Sequence, residues 1–175
     1  MAKDSNMKEN EKHQTGYEPI DTLFRHNLWA NTKLFEQCAL LSEEQLNSTV
    51  IGTYGSIFDT LEHIANAERS YWHRLKTGQP FRKPEGAPKP TIAELQVSIL
   101  SSGAGLIEIA PTIQPLDGVE VNWEGSPRTV PNAVILTQVI NHATEHRAQI
   151  MVMLTQLGIQ PPELDSWAYF DEFDS

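Results

Sequence analysis

Two of the six histidines in this 175-residue chain stand four apart, in Asn141-His142-Ala143-Thr144-Glu145-His146-Arg147-Ala148-Gln149. Side chains at i and i+4 lie one turn apart on the same helix face, so two imidazoles so placed can hold one ion. Ile135, Val139 and Met153 share their stripe, which puts both histidines where the pattern calls for burial. Two ligands alone bind weakly, and a third is expected from another helix. His63, within Glu62-His63-Ile64-Ala65, is the candidate: Ser56, Thr60, Ala67 and Ser70 along its own stripe are small and leave room for an ion, water and a ligand. The plain alternative for any single histidine is a packed structural side chain, and it loses weight when three are placed together. Three neutral imidazoles favour a borderline divalent metal such as Zn, Ni, Co or Fe(II). Open coordination positions would make the site catalytic rather than structural.

The other histidines have weaker claims. His26 flanks the polar pair Asn27 and Asn31 and is the reserve ligand, His13 lies near the amino terminus, and His73 sits in a charged stretch. His142-x-x-Glu145-His146 also matches the H-x-x-E-H pattern of inverted zinc peptidases. That pattern needs a third, acidic ligand well downstream. The acids that remain follow a glycine and two prolines, so this reading is set aside. A di-iron carboxylate centre needs Glu-x-x-His on two helices, and no Glu-x-x-His occurs.

Four long helical patterns must position these residues. The first follows Pro19 and runs to about Leu41, with Ile20, Phe24, Leu34 and Cys38 on one stripe that also carries Asn27 and Asn31. Ser42-Glu43-Glu44-Gln45 reads as a capping box opening a short turn. The second helix is expected from Ser56 to just before Gly78, followed by a loop rich in proline. The third opens on the capping box Thr91-Ile92-Ala93-Glu94 and runs to about Ala110, with Gly103 and Gly105 marking a kink or a close helix contact. Residues 119–130 read as a small hairpin. The fourth helix is expected from about Pro131 to Leu157, stopped by Gly158. Part of the acidic segment from Glu163 onward, with Trp167, Tyr169 and Phe170, is expected to dock on the body. The fold class is therefore all-α: a four-helix bundle with a long third-to-fourth connection. Residues 1–16 read as a mobile polar tail and 17–175 as a single domain.

Composition narrows the function. The net charge of −10, with no run of Lys and Arg, argues against nucleic acid and anionic membranes as partners. No run approaches the roughly 20 apolar residues of a membrane span, and the amino terminus lacks a signal-peptide pattern, so a cytoplasmic location is expected. The single cysteine, Cys38, excludes an intrachain disulfide and lies on a core stripe. Trp29, Trp72 and Trp123 read as core or rim residues.

With those residues in hand, the chain resembles the DinB/YfiT-like family. Arg25 to Leu41 ("RHNLWANTKLFEQCALL") is similar to the family's first helix, and Tyr54 to Leu75 ("YGSIFDTLEHIANAERSYWHRL") to its second. "LTQVINHATEHRAQIMVMLTQLG" resembles its last helix, with an H-x-x-x-H-R-x-Q signature at His142, His146, Arg147 and Gln149, and "PPELDSWAY" its usual ending. The resemblance implies a metal held by His63, His142 and His146, a homodimer, and either transfer of a low-molecular-weight thiol to an electrophile or isomerisation of a small acid with a thiol cofactor. A divalent metal favours the thiolate of a bound thiol and can equally activate water for hydrolysis. Asn27 and Asn31 would then hydrogen-bond a ligand or orient a histidine; the competing reading is an interhelical polar pair. Arg147 is expected to pair with Glu62 or Glu68. The leading function is a metal-dependent enzyme on small molecules, thiol S-transferase-like or hydrolase-like. The alternative is a non-catalytic dimeric bundle whose metal site is structural or vestigial.

Overall fold

A computed structural model describes residues 18–173 except Glu124. The expected tail, 1–16, lies outside the described residues. Those described form a mostly helical molecule with one small sheet. In chain order the elements are α1 (Pro19–Cys38), α2 (Glu43–Leu46), α3 (Ile57–Thr77), α4 (Ile92–Ile109), β1 (Gly118–Trp123), β2 (Ser126–Pro131), α5 (Asn132–Gln156) and α6 (Ser166–Phe173). The four long helices are neighbours in a ring: α1 packs on α4 and α5, and α3 packs on the same two.

The helix starts follow local chemistry. Ser42, Ser56 and Thr91 each accept from the backbone N–H three residues on, while Gln45, Asp59 and Glu94 reach back to the cap N–H. Each capping box satisfies donors that the first turn otherwise leaves without partners. Pro19 opens α1 as expected, and α1 stops at Cys38, three residues short of the expected end. Gly78, at φ +73°, closes α3 in the left-handed conformation that glycine adopts without strain.

Two apolar clusters form along the ring. One joins Leu34, Phe35 and Cys38 of α1 to Leu61 and Ile64 of α3, Ile99 of α4, and Ile150 and Met153 of α5. The other holds Phe24, Leu106, Leu136 and Val139. Along α5, His142 and His146 fall between Val139 of the second cluster and Ile150 of the first, so the core on either side holds their helix in place. Cys38 is fully buried, and burial pushes its thiol up to about 12, which suits packing and not nucleophilic chemistry.

The expected hairpin is present. β1 and β2 pair antiparallel with Val119 opposite Val130 and Val121 opposite Arg128. Val119, Val121 and Val130 pack with Ile135 against Tyr71 and Leu75, fastening the connection to the start of α5. The carboxy-terminal segment packs against α1, in a form the sequence reading did not specify. It is a helix, α6, whose Tyr169 meets Trp29 and His26 edge-on with ring centroids 5.5 and 5.7 Å apart.

Two expectations about α4 are corrected or resolved. Ile92–Thr112, with mean hydropathy 1.3, is long and apolar enough to cross a membrane by length and composition. The sequence reading found no such run because Glu94, Glu108 and three serines interrupt it. In the fold this helix packs against α1 and α3. Its glycines mark close contacts and not a break, because the helix is continuous through both. A Cβ on Gly103 would lie 2.6 Å from Leu28, and one on Gly105 would collide with the Trp72 indole. Gly105→Ala should therefore destabilise the protein by about 1–3 kcal/mol, although alanine is the better helix former. Urea denaturation measures this; a stabilised variant would show that Trp72 swings aside at no cost.

Candidate metal centre

α3 presents His63 and α5 presents His142 and His146, and one ligand nitrogen from each lies within 4.8 Å of the others. His142 Nε2 and His63 Nε2 are 2.9 Å apart. Ring centroids are 4.7 Å apart for His63–His142, 4.6 Å for His63–His146 and 4.5 Å for His142–His146. A cation about 2.0–2.1 Å from each nitrogen requires ligand separations near 3 Å, so small rotamer adjustments suffice. His146 is 8% exposed and the other two are half-buried, which leaves the group open on one side.

Protonation favours ligation. Burial, reinforced by the neighbouring imidazoles, lowers His142 to about 4 and also lowers His63. Both are neutral at pH 7, the state in which a ring nitrogen can give its lone pair to a metal. The tautomer of His146 is set by Gln149, whose Oε1 lies 3.1 Å from His146 Nδ1. A proton on Nδ1 satisfies that oxygen and leaves the Nε2 lone pair free to bind an ion. The same Oε1 accepts the backbone N–H of Tyr54 at 3.0 Å. Tyr54 belongs to the loop before α3, and its ring stacks on His63 with centroids 3.9 Å apart and lies edge-on to His146 at 5.4 Å. Gln149→Ala should weaken divalent-metal affinity by about 10–100-fold with the fold retained, as metal titration would show. Unchanged affinity would remove Gln149 from this role.

The sequence reading missed Tyr54. Its one signal was an aromatic residue between Gly52 and Gly55 in a short loop. His26, the reserve ligand, is elsewhere: its Nε2 bonds the Leu164 carbonyl oxygen at 2.9 Å and helps hold the segment leading to α6. His73 contacts the Gln79 carbonyl oxygen at the end of α3. Glu145 is exposed, as expected of a residue off the histidine face.

Asn27 and Asn31 are 1% and 0% exposed, and the structure places them in a buried relay and not at the histidine group. Arg147 Nη1 donates to Oδ1 of both asparagines at 2.8 Å. The Nδ2 of each donates to Glu68 Oε2 at 2.9 Å. Ser102 Oγ donates to Glu68 Oε1 at 2.8 Å. The partner of Arg147 is thus Glu68, reached through two amides. The physical reason is that each asparagine offers one acceptor and two donors, enough to satisfy a buried cation and a buried anion at once. Burial raises Glu68 to about 7 against the pull of its donors, and lowers Arg147 to about 10. The relay takes residues from α1, α3, α4 and α5, so it fixes the rotation of α5 one residue beyond His146.

The donor set suits a borderline divalent ion: three imidazoles, two with facing Nε2 atoms and one held from behind at Nδ1. Comparison with known proteins agrees with this picture. The family model for the DinB family matches residues 7–172. A crystal structure of a DinB-like protein from Bacillus subtilis superposes with a TM-score of 0.61 at 18% identity, covering 85% of this chain and 99% of that one. A DinB-like protein from Bacillus cereus gives a TM-score of 0.57 at 18% identity, covering 79% and 91%. No curated protein matches the sequence. With the family model spanning nearly the whole chain around a three-histidine group that can hold a metal, this chain belongs to the DinB family.

Proposed function

We propose that the protein is a metal-dependent enzyme on small molecules, acting as a thiol S-transferase or a hydrolase from a single four-helix-bundle domain. The observation that carries the reading is the convergence of imidazoles from α3 and α5 within 4.8 Å, open on one side. His63, His142 and His146 hold the ion, and Gln149 orients His146. Tyr54 covers one face of His63 and keeps water from it. A divalent ion bound there supplies Lewis acidity, favouring the thiolate of a thiol or the deprotonation of water. Substrate enters through the cavity of about 420 Å3 beside His63, which Tyr54, Asp59, Glu62 and Asn66 line. A cytoplasmic homodimer without nucleic-acid or membrane partners is the setting that fits the family resemblance and the charge of −10.

The test is turnover. Metal-loaded protein is screened against low-molecular-weight thiols paired with electrophilic acceptors, and against hydrolysable esters and amides. Metal-dependent turnover of either class is expected. Bound metal with no turnover across both panels would favour the non-catalytic bundle with a structural ion.

A further inference from the structure

We infer that the loop before α3 is a lid on the metal centre, latched to α5 through Gln149 and closed by the bound ion, with Tyr54 as its positioning residue. This rests on the metal-binding part of the reading above and adds how access to that site is controlled. Residues 47–56 join α2 to α3. The loop is bonded chiefly to itself and to the start of α3. Thr53 Oγ1 donates to the carbonyl oxygens of Val50 and Gly55 at 2.8 and 3.1 Å, and the Ile57 N–H donates to the Ser48 carbonyl oxygen at 3.2 Å. Among the described residues, its one hydrogen bond to α5 runs from the Tyr54 N–H to Gln149 Oε1. Ile51 is fully exposed and Tyr54 is 56% exposed, so little buried surface holds the tip down. A segment held this way opens at low cost.

The Tyr54 ring lies nearly flat on His63, at an interplanar angle of 18°, and stands edge-on to His146 at 80°. A metal binds an imidazole in the plane of the ring, at a nitrogen lone pair. A ring stacked on the face therefore fixes the plane of His63 and leaves its ligating direction free. One side chain thus touches ligands from both α3 and α5, and it also lines the cavity of about 420 Å3 beside His63.

The latch has two arrangements. Gln149 Oε1 faces both His146 Nδ1 and the Tyr54 N–H. With the oxygen turned in, the amide accepts from both, provided that Nδ1 carries the ring proton. With its NH2 turned in, the amide can donate to a bare Nδ1 but cannot accept from Tyr54, and the loop is released. An ion taken at His146 Nε2 keeps the ring proton on Nδ1, and so selects the first arrangement. By linkage, a closed loop strengthens the hold on the ion.

Hydrogen exchange at the Tyr54 amide, followed by NMR on the full chain with and without zinc, tests the lid. Zinc should slow exchange about fivefold or more in wild type. In Gln149→Glu the carboxylate accepts from both donors at all times, so the amide should be slow whether or not zinc is present. In Gln149→Ala it should be fast in both states. Competition titration supplies a second arm: Tyr54→Ala should bind zinc about tenfold more weakly, and Tyr54→Phe, which keeps the stacked ring, as tightly as wild type. Zinc bound with the Tyr54 amide unchanged would overturn the lid and leave the metal reading standing, whereas no zinc bound to wild type would overturn both. An equal loss of affinity in Tyr54→Phe and Tyr54→Ala would give the effect to the hydroxyl and overturn the stacking role. The wild-type comparison decides the matter even if circular dichroism shows a variant unfolded.

Discussion

Replacing both His142 and His146 with alanine is expected to abolish stoichiometric binding of a divalent metal while the helical fold remains. Four-ligand structural zinc sites bind with about 10–16 kcal/mol, or about 3 kcal/mol per ligand, so losing two of three imidazoles should weaken affinity by roughly four orders of magnitude. Metal analysis of protein purified under metal-replete conditions reads the result directly. Wild type should carry one ion per chain and the double variant none. The variant should also lose the melting-temperature difference that a chelator produces in wild type, because an ion that binds only the folded state stabilises it by mass action. Metal absent from both proteins, or equally present in both, would end the assignment.

Glu68→Ala should cost about 3–5 kcal/mol, among the largest effects available to a single substitution here. The change leaves the guanidinium of Arg147 buried without an anion, and it removes the acceptor for Asn27, Asn31 and Ser102 together. Urea denaturation at fixed pH measures the loss, and a cost below about 1 kcal/mol would show that the relay rearranges freely. Glu68→Gln adds a pH signature. Burial raises the folded-state carboxyl from 4.5 to about 7, so between those values the folded protein binds more protons at this group than the unfolded chain. Its contribution to stability is complete below 4.5 and is lost as pH rises through about 7. In Glu68→Gln that decline should disappear from the stability profile.

The histidine group was legible because helix geometry turns sequence spacing into position. An i,i+4 pair on a core stripe has one orientation, and His63 stood among small residues on a second helix. The helix starts were legible for a similar reason, since a capping box is local chemistry. What spacing alone could not supply was the identity of partners across helices. Asn27 and Asn31 announced buried polarity, but one stripe cannot tell a ligand from an ion-pair relay assembled from four helices. Tyr54 escaped because a loop has no period to extrapolate. The helical form of α6 escaped because its amphipathic run is only eight residues long, too short to stand out beside an acidic, aromatic tail.

The relay and the histidine group share one turn of α5, and this has a consequence for how the protein can change. Arg147 follows His146 directly, so a substitution that lets the interior ion pair settle differently also turns the imidazoles. Selection for a different cation, or for a different reaction at the mouth of the site, would have to act through a residue that all four long helices depend on for their register. Variation is cheap in the approach to the centre and expensive at its floor. Diversification among relatives of this architecture should accordingly be found at the rim, with the floor left alone.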